Sequence, residues 1–125
     1  MSNILIIDDD ELQLALQRSI LMDAGFTVFA TADGPYGIFI YQQNDIDLVL
    51  LDIGIPSMSG LEVLREIKKV NPNATVIMVT GYPSIESSTL AVKYGAFDYI
   101  QKPFEANLFL KRIKNALQLN DDFVR

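Results

Sequence analysis

The segment Ile4-Leu5-Ile6-Ile7-Asp8-Asp9-Asp10-Glu11 begins with four apolar residues and ends with four acidic ones. A short, continuously apolar run is typical of a β-strand that is covered on both faces, as in a parallel sheet. Similar runs occur at Leu48-Val49-Leu50-Leu51, followed by Asp52, and at Val76-Ile77-Met78-Val79, followed by Thr80. Each of these three segments therefore predicts a buried strand that is followed by a polar side chain.

Two further strands and five helices complete this pattern. We predict strands at 4–7, 28–30, 48–51, 76–79 and 97–100, and helices near 11–24, 35–44, 60–70, 84–94 and 105–119. Gly25 and Gly95 stand where helix C-terminal caps favour glycine, and Pro35 suits a first helical turn. Gly37, a weak helix former, predicts a frayed second helix. Five strand–helix units in succession predict an α/β fold, a flavodoxin-like (βα)5 doubly wound parallel sheet with strand order 2-1-3-4-5.

The length and composition fit one compact domain. We assign residues 1–120 to it, and 121–125 to a C-terminal tail or the start of a linker to a missing output domain. The 125 residues include no cysteine and no histidine, which excludes disulfides, thiolate metal sites and imidazole catalysis. A net charge of −6 argues against direct nucleic-acid binding. Because we find neither a basic leader nor an apolar run of about 18 residues, we expect a cytoplasmic protein without membrane association.

Polar residues follow four of the predicted strands, at the edge where doubly wound sheets bind ligands. They are Asp8 to Glu11 after the first strand, Asp52 after the third, Thr80-Gly81 after the fourth and Lys102-Pro103 after the fifth. Clustered carboxylates repel one another and favour a hard divalent cation, Mg²⁺ in particular. A metal, a lysine and a hydroxyl around one carboxylate form a phosphoryl-binding pocket, in which Asp52 can act as a nucleophile.

Five segments resemble the receiver domains of response regulators, over essentially the whole chain. They are 4–9, 47–53, 55–60, 79–82 and 95–104, with the sequences ILIIDD, DLVLLDI, IPSMSG, VTGY and GAFDYIQKPF. The segment around Thr80-Gly81-Tyr82 is most similar to receivers of the nitrogen-regulation type.

The resemblance implies a role for each residue of the site. Asp52 would be the phosphoacceptor, Lys102 would pair with the phosphoryl group, and the Thr80 hydroxyl would hydrogen-bond to it. Tyr99 would be the aromatic switch partner of Thr80. The domain would catalyse only its own phosphotransfer and dephosphorylation. The ligands of Mg²⁺, or of Mn²⁺ as a substitute, would be Asp8, Asp9, Asp52 and the Gly54 backbone carbonyl.

The resemblance also implies partners. The phosphoryl donor would be a phosphohistidine on a sensor histidine kinase or phosphotransfer protein, or a small acyl phosphate. The surface formed by the fourth helix, fifth strand and fifth helix would control an output domain, a partner or a homodimer. In the fourth helix, Leu90 and Tyr94 fall nearly opposite the face that contains Ile85 and Val92, and Leu108 lies off the inward stripe of the fifth helix. We predict that Leu90, Tyr94 and Leu108 join this interface.

Three alternatives remain open at this point. A phosphatase of the haloacid dehalogenase type would use Asp8 as the nucleophile and Asp10 as the acid or base, although the short chain lacks a cap insertion. A nucleotide- or flavin-binding module would require a glycine-rich loop after the first strand, which is absent. A pseudo-receiver would serve only in protein interaction. Identifying which aspartate is phosphorylated separates the first of these from a receiver.

Overall fold

Five strands and five helices alternate along the chain in the computed structural model, which describes residues 2–118. The predicted domain end at 120 and the tail 121–125 lie outside the described residues. Among residues 2–118, no helix combines the length and apolarity that crossing a bilayer requires. The strands are β1 (Asn3–Ile7), β2 (Thr27–Thr31), β3 (Leu48–Leu51), β4 (Val76–Thr80) and β5 (Asp98–Gln101). The helices are α1 (Glu11–Asp23), α2 (Gly34–Gln43), α3 (Gly60–Val70), α4 (Ile85–Lys93) and α5 (Ala106–Ala116).

The strands form one parallel sheet in the order β2-β1-β3-β4-β5. At its centre, Leu51 of β3 lies between Ile7 of β1 and Met78 of β4. The predicted flavodoxin-like topology is therefore confirmed. Because all the strands point the same way, the carboxyl ends of β1, β3, β4 and β5 lie along one edge of the sheet.

Both faces of the sheet are covered. The helices α2, α3 and α4 pack on one face, where Leu64 and Ala91 belong to the buried cluster. The helices α1 and α5 cover the other face with Leu21 and Phe109. Every residue of β3 and β4 is consequently buried, which explains why these strands are continuously apolar up to Thr80, the last residue of β4.

The helix ends follow the predicted chemistry. Gly25 and Gly95, which follow α1 and α4, have φ angles of +94° and +92°, in the left-handed region that favours glycine. At the start of α2, the Asp33 carboxylate accepts a hydrogen bond from the Tyr36 amide at 2.7 Å, and Pro35 lies in the first turn.

The prediction that Gly37 frays α2 is wrong, because α2 is continuous from Gly34 to Gln43. Packing explains the glycine instead. A Cβ atom at Gly37 would overlap Cδ1 of Ile7 and lie 2.8 Å from its Cγ1. The missing side chain therefore allows α2 to approach β1 closely.

The solvent-facing side of α4 also differs from the prediction. Ile85 and Val92 are 87% and 74% exposed, whereas Leu90 is half-buried. Tyr94, also half-buried, packs against the core cluster that includes Ala91. Leu90 and Tyr94 are thus less exposed than their neighbours Ile85 and Val92, and their part in an interface stays a prediction. The small side chain of Ala91 faces the sheet, and the larger apolar residues of this helix do not all turn inward with it.

The helix α5 is fastened to β5 at the surface. The Arg112 guanidinium donates to both carboxylate oxygens of Asp98, at 2.8 and 2.7 Å. Such a two-point ion pair fixes orientation better than a single contact does. On the same helix, Leu108 is 61% exposed, as the sequence predicts.

The first residue of α3, Gly60, packs directly against the strand end that carries Asp52. A Cβ atom at Gly60 would overlap the Asp52 carbonyl oxygen and lie 2.6 Å from Cα of Ile53. Because backbone atoms cannot move aside without disturbing the sheet edge, Gly60→Ala is expected to lower the free energy of unfolding by about 3 kcal/mol. Urea denaturation measures this change.

The matched control is Gly54→Ala, since nothing lies within 4 Å of a Cβ atom at Gly54. We expect this variant to be nearly as stable as the original chain. Equal stabilities for the two alanine variants would contradict the close-packing explanation.

Candidate metal and acceptor site

Three aspartate side chains meet at the carboxyl edge of the sheet. Asp8 and Asp9 follow β1, and Asp52 follows β3. One carboxylate oxygen from each lies within 4.8 Å of the others. Asp8 and Asp52 are buried, while Asp9 is exposed. The predicted convergence of these carboxylates is confirmed.

Lys102 places an ammonium group between two of these carboxylates. Its Nζ donates to Oδ2 of Asp8 at 2.6 Å and to Oδ2 of Asp52 at 3.1 Å. The backbone amide of Lys102 donates to the Thr80 carbonyl at 2.8 Å, and the peptide bond to Pro103 is cis. Since the lysine side chain is only 9% exposed, it is a shared partner inside the pocket and not a solvated surface charge.

Burial dominates the electrostatics of this cluster. It raises the pKa of the Asp8 carboxyl above its usual value, and hydrogen bonds from Lys102 and the Asp10 amide only partly offset this effect. Burial alone would lower the pKa of Lys102, but the hydrogen bond to Asp8 and the attraction of Asp52 outweigh it, so this pKa is raised. The lysine therefore stays protonated at neutral pH. Because one ammonium faces three carboxylates, negative charge is in excess in the pocket.

The available ligand atoms fit a hard divalent cation. Carboxylate oxygens suit Mg²⁺, whereas softer metals favour the thiolates and imidazoles that this chain lacks. The loop after β3 begins at Asp52, whose Oδ1 accepts a hydrogen bond from the Gly54 amide at 3.3 Å. Gly54 is thus close to the cluster. Coordination by its carbonyl stays a prediction.

Asp52 also faces a cavity of about 310 Å³. Thr80, which is buried at the end of β4, accepts a hydrogen bond at Oγ1 from the Tyr82 amide at 3.2 Å. Within residues 2–118, no hydrogen bond joins the Thr80 hydroxyl to Asp52. The cavity leaves open space beside the Asp52 carboxylate. Its lining residues are Asp10, Gln13, Asp52, Gly81, Tyr82, Lys102 and Pro103.

Tyr99, the predicted switch residue, contacts α4 through a hydrogen bond. It lies half-buried on β5, and its hydroxyl is 2.8 Å from Oγ of Ser87. Ser87 also closes the capping box at the start of α4 with Ser84. Sequence reasoning missed Ser87. The Ser84–Ser87 spacing indicates a capping box, but it contains no information about a contact with β5.

A second residue missed by sequence reasoning is Gln17 of α1. Its side chain is fully buried, and Nε2 donates to Oδ2 of Asp8 at 3.2 Å. The other oxygen of Asp8 accepts a hydrogen bond from the Asp10 amide at 3.0 Å. The available indication was its position on the inward stripe of α1, between Leu14 and Leu21, where an amide is unusual.

A five-stranded doubly wound sheet with an acidic pocket at its carboxyl edge is the architecture of response regulator receiver domains. The chain belongs to the response regulator receiver domain family, which matches residues 4–114. The predicted family is therefore confirmed.

Among curated relatives, the chain is 36% identical to the uncharacterized transcriptional regulatory protein YkoG of Bacillus subtilis, over 94% of this chain and 52% of YkoG. It is 34% identical to a putative response regulator NtrX-like protein of Rickettsia bellii, over 94% of this chain and 25% of that protein. The second relative supports the predicted resemblance to the nitrogen-regulation type. The chain spans about half the length of the first relative and about a quarter of the second.

Solved structures show the same architecture. A CheY-like response regulator receiver domain protein from Methanospirillum hungatei has a TM-score of 0.91 and 36% identity, with 94% of both chains covered. The response regulator protein TrrA from Thermotoga maritima, in complex with Mg(2+)-BeF, has a TM-score of 0.85 and 29% identity. That comparison covers 93% of this chain and 99% of TrrA.

Magnesium is expected to raise the melting temperature of this protein, because it would relieve the charge imbalance of the folded state. A ligand that binds only the folded protein at one hundred times its dissociation constant adds about 2.7 kcal/mol to stability. Thermal unfolding in MgCl₂, against NaCl of equal ionic strength, measures the effect. Asp9→Asn should reduce it.

Asp23→Asn provides the control, because it removes an exposed carboxylate at the far end of α1 and should leave the magnesium effect unchanged. The same temperature shift in all three proteins would argue against a site at Asp9.

Proposed function

We propose that this chain is a receiver that accepts a phosphoryl group on Asp52, in the presence of magnesium, and thereby controls an output domain or a partner. The observation that carries the proposal is the environment of Asp52. Its carboxylate lies 3.1 Å from the Lys102 ammonium, close to Asp8 and Asp9, and faces the cavity of about 310 Å³. Asp52 would thus be the nucleophile, Lys102 the neighbouring cation, and the cavity the space for the phosphoryl group.

Access favours Asp52 over Asp8 as the nucleophile. Asp52 lines the cavity and is 8% exposed, whereas Asp8 is 1% exposed and does not belong to the cavity lining. One oxygen of Asp8 accepts hydrogen bonds from both Lys102 and Gln17. The Asp10 carboxylate caps α1 by accepting hydrogen bonds from backbone amides. These contacts argue against the haloacid dehalogenase alternative, which requires Asp8 as the nucleophile and Asp10 as the acid or base.

Phosphotransfer would proceed from a phosphohistidine on a sensor histidine kinase or phosphotransfer protein. An oxygen of Asp52 attacks the phosphorus atom, the phosphorus–nitrogen bond breaks, and the imidazole nitrogen leaves with the electron pair. The phosphohistidine lies outside this domain, because residues 1–125 contain no histidine. A small acyl phosphate can replace it, with a carboxylate as the leaving group. We place this exchange in the cytoplasm.

The surrounding groups would stabilise the transferred phosphoryl group. Lys102 pairs with its oxygens, and the Thr80 hydroxyl donates a hydrogen bond to it. When bound, Mg²⁺, or Mn²⁺ in its place, would supply positive charge to offset the negative charge of the carboxylate and phosphoryl oxygens. The residues that would hold the metal are Asp8, Asp9, Asp52 and the Gly54 carbonyl.

The switch would pass from Thr80 to Tyr99 and α4. An aspartyl phosphate adds negative charge and acceptor oxygens, which favour movement of the Thr80 hydroxyl towards Asp52. Tyr99 then turns inward and leaves its hydrogen bond with Ser87. Because Ser87 belongs to α4, this change shifts the population of α4 conformations without changing the fold.

The output would be read on the surface formed by α4, β5 and α5. Ile85 and Val92 on α4, together with Leu108 on α5, are exposed apolar side chains. They are better interface candidates than Leu90 and Tyr94, which are half-buried. The partner that binds this surface is an output domain or a second copy of the chain. The net charge of −6 argues against direct contact with nucleic acid. Relatives named as transcriptional regulators are longer than this chain, which supports an output domain in a longer protein.

Acetyl phosphate with magnesium should add one phosphoryl group to the chain, and Asp52→Asn should abolish the addition. Intact-mass spectrometry measures it, and Asp23→Asn should react like the original protein because its carboxylate lies outside the pocket. If Asp52→Asn were still phosphorylated, with the label on Asp8, the haloacid dehalogenase mechanism would replace the receiver mechanism.

Ser87→Ala should increase the affinity for beryllofluoride, a phosphoryl mimic, if the Ser87–Tyr99 hydrogen bond stabilises the unphosphorylated conformation. Loss of one neutral hydrogen bond, worth about 1 kcal/mol, would lower the apparent dissociation constant roughly fivefold. Tyr99→Phe should act in the same direction while it leaves the α4 capping box intact. Nuclear magnetic resonance (NMR) titration in magnesium measures both variants.

The control is Ser88→Ala, whose lost hydroxyl donates to the Ile85 carbonyl in its own helix. We expect its affinity for beryllofluoride to match that of the original chain. Unchanged affinity in both Ser87→Ala and Tyr99→Phe would rule out this hydrogen bond as part of the switch.

A further inference from the structure

One buried amide near the acidic pocket has no role in the function described above. Gln17 is 0% exposed, and its Nε2 donates to Oδ2 of Asp8 at 3.2 Å. Its Oε1 is buried and has no hydrogen-bond partner within residues 2–118. A buried acceptor without a partner destabilises a fold, whereas an apolar side chain of similar size would not. Stability alone therefore does not explain an amide at this position.

The contact with Asp8 provides an explanation. Oδ2 of Asp8 accepts hydrogen bonds from two side chains, Gln17 and Lys102, and Lys102 is shared with Asp52. If Lys102 turns towards a phosphoryl group on Asp52, its hold on Asp8 weakens. Gln17, which carries no charge and hydrogen-bonds to no other carboxylate among the described residues, keeps its donor on Asp8. The orientation of the Asp8 carboxylate then does not depend on the position of the lysine.

We propose that Gln17 is a positioning residue, whose buried amide holds the Asp8 carboxylate in the orientation needed to bind magnesium. The inference rests on the proposed function, in which Asp8 is a metal ligand. Residues that hydrogen-bond to a metal ligand typically change metal affinity by 10- to 100-fold when they are replaced. Gln17 supplies such a hydrogen bond from α1, an element that contributes none of the proposed ligands.

The test compares magnesium affinity in Gln17→Met and Leu21→Met. Methionine matches glutamine in length and lacks the amide, and Leu21 is an equally buried residue one turn further along α1. NMR titration with MgCl₂ should give a dissociation constant at least about 10-fold higher for Gln17→Met and a nearly unchanged one for Leu21→Met. Thermal unfolding in EDTA should show that Gln17→Met remains folded without metal.

Each other outcome has a distinct meaning. Equal affinity in Gln17→Met and the original chain, or equal weakening in both methionine variants, would overturn the positioning role while the proposed function stands. Absence of magnesium binding by the original chain would overturn both.

A measurement on the unaltered protein covers the case in which Gln17→Met does not fold. The Gln17 side-chain amide should give a resonance that exchanges slowly with solvent and shifts on magnesium addition with the same dissociation constant as the backbone amide of Asp10. A resonance that exchanges rapidly or does not respond to magnesium would contradict the inference.

Discussion

A single ammonium group shared by two buried carboxylates is the interaction on which the site depends. Lys102 lies 2.6 Å from Asp8 and 3.1 Å from Asp52, and Asp9 adds a third carboxylate close by. Water screens charges poorly in a buried pocket, so attraction and repulsion are both stronger than at the surface. The lysine holds the cluster together, but its single positive charge does not balance the three carboxylates. This deficit makes the pocket receptive to a divalent cation.

The sheet order makes this sharing possible. Asp8 and Asp52 follow the adjacent strands β1 and β3, but Lys102 follows β5, which is separated from β3 by β4. The backbone amide of Lys102 is anchored on Thr80 at the end of β4, and the long side chain spans the remaining distance. Close packing of Gly60 against the Asp52 backbone supports the same strand end.

The fold and most of the pocket were predictable because they depend on local patterns. Continuous apolar runs indicate covered parallel strands, and parallel strands bring Asp52 and Lys102 to one edge. The exposed face of α4 was not predictable in this way, because periodicity assumes that large apolar residues turn inward, whereas Ala91 does so and Ile85 does not. The role of Gln17 was not predicted for a related reason. Its hydrogen bond to Asp8 depends on how α1 packs beside β1, which no sequence spacing describes.

The Asp98–Arg112 pair has a consequence for how a partner would meet this surface. Arg112 on α5 pairs with both oxygens of Asp98 on β5, whereas α4 is joined to β5 through the Tyr99–Ser87 hydrogen bond. Movement of α4 against β5 would break one neutral hydrogen bond, whereas movement of α5 against β5 would break a two-point ion pair. Under the proposed function, a protein bound to both α4 and α5 would keep the same contacts with α5. Phosphorylation of Asp52 would change mainly its contacts with α4.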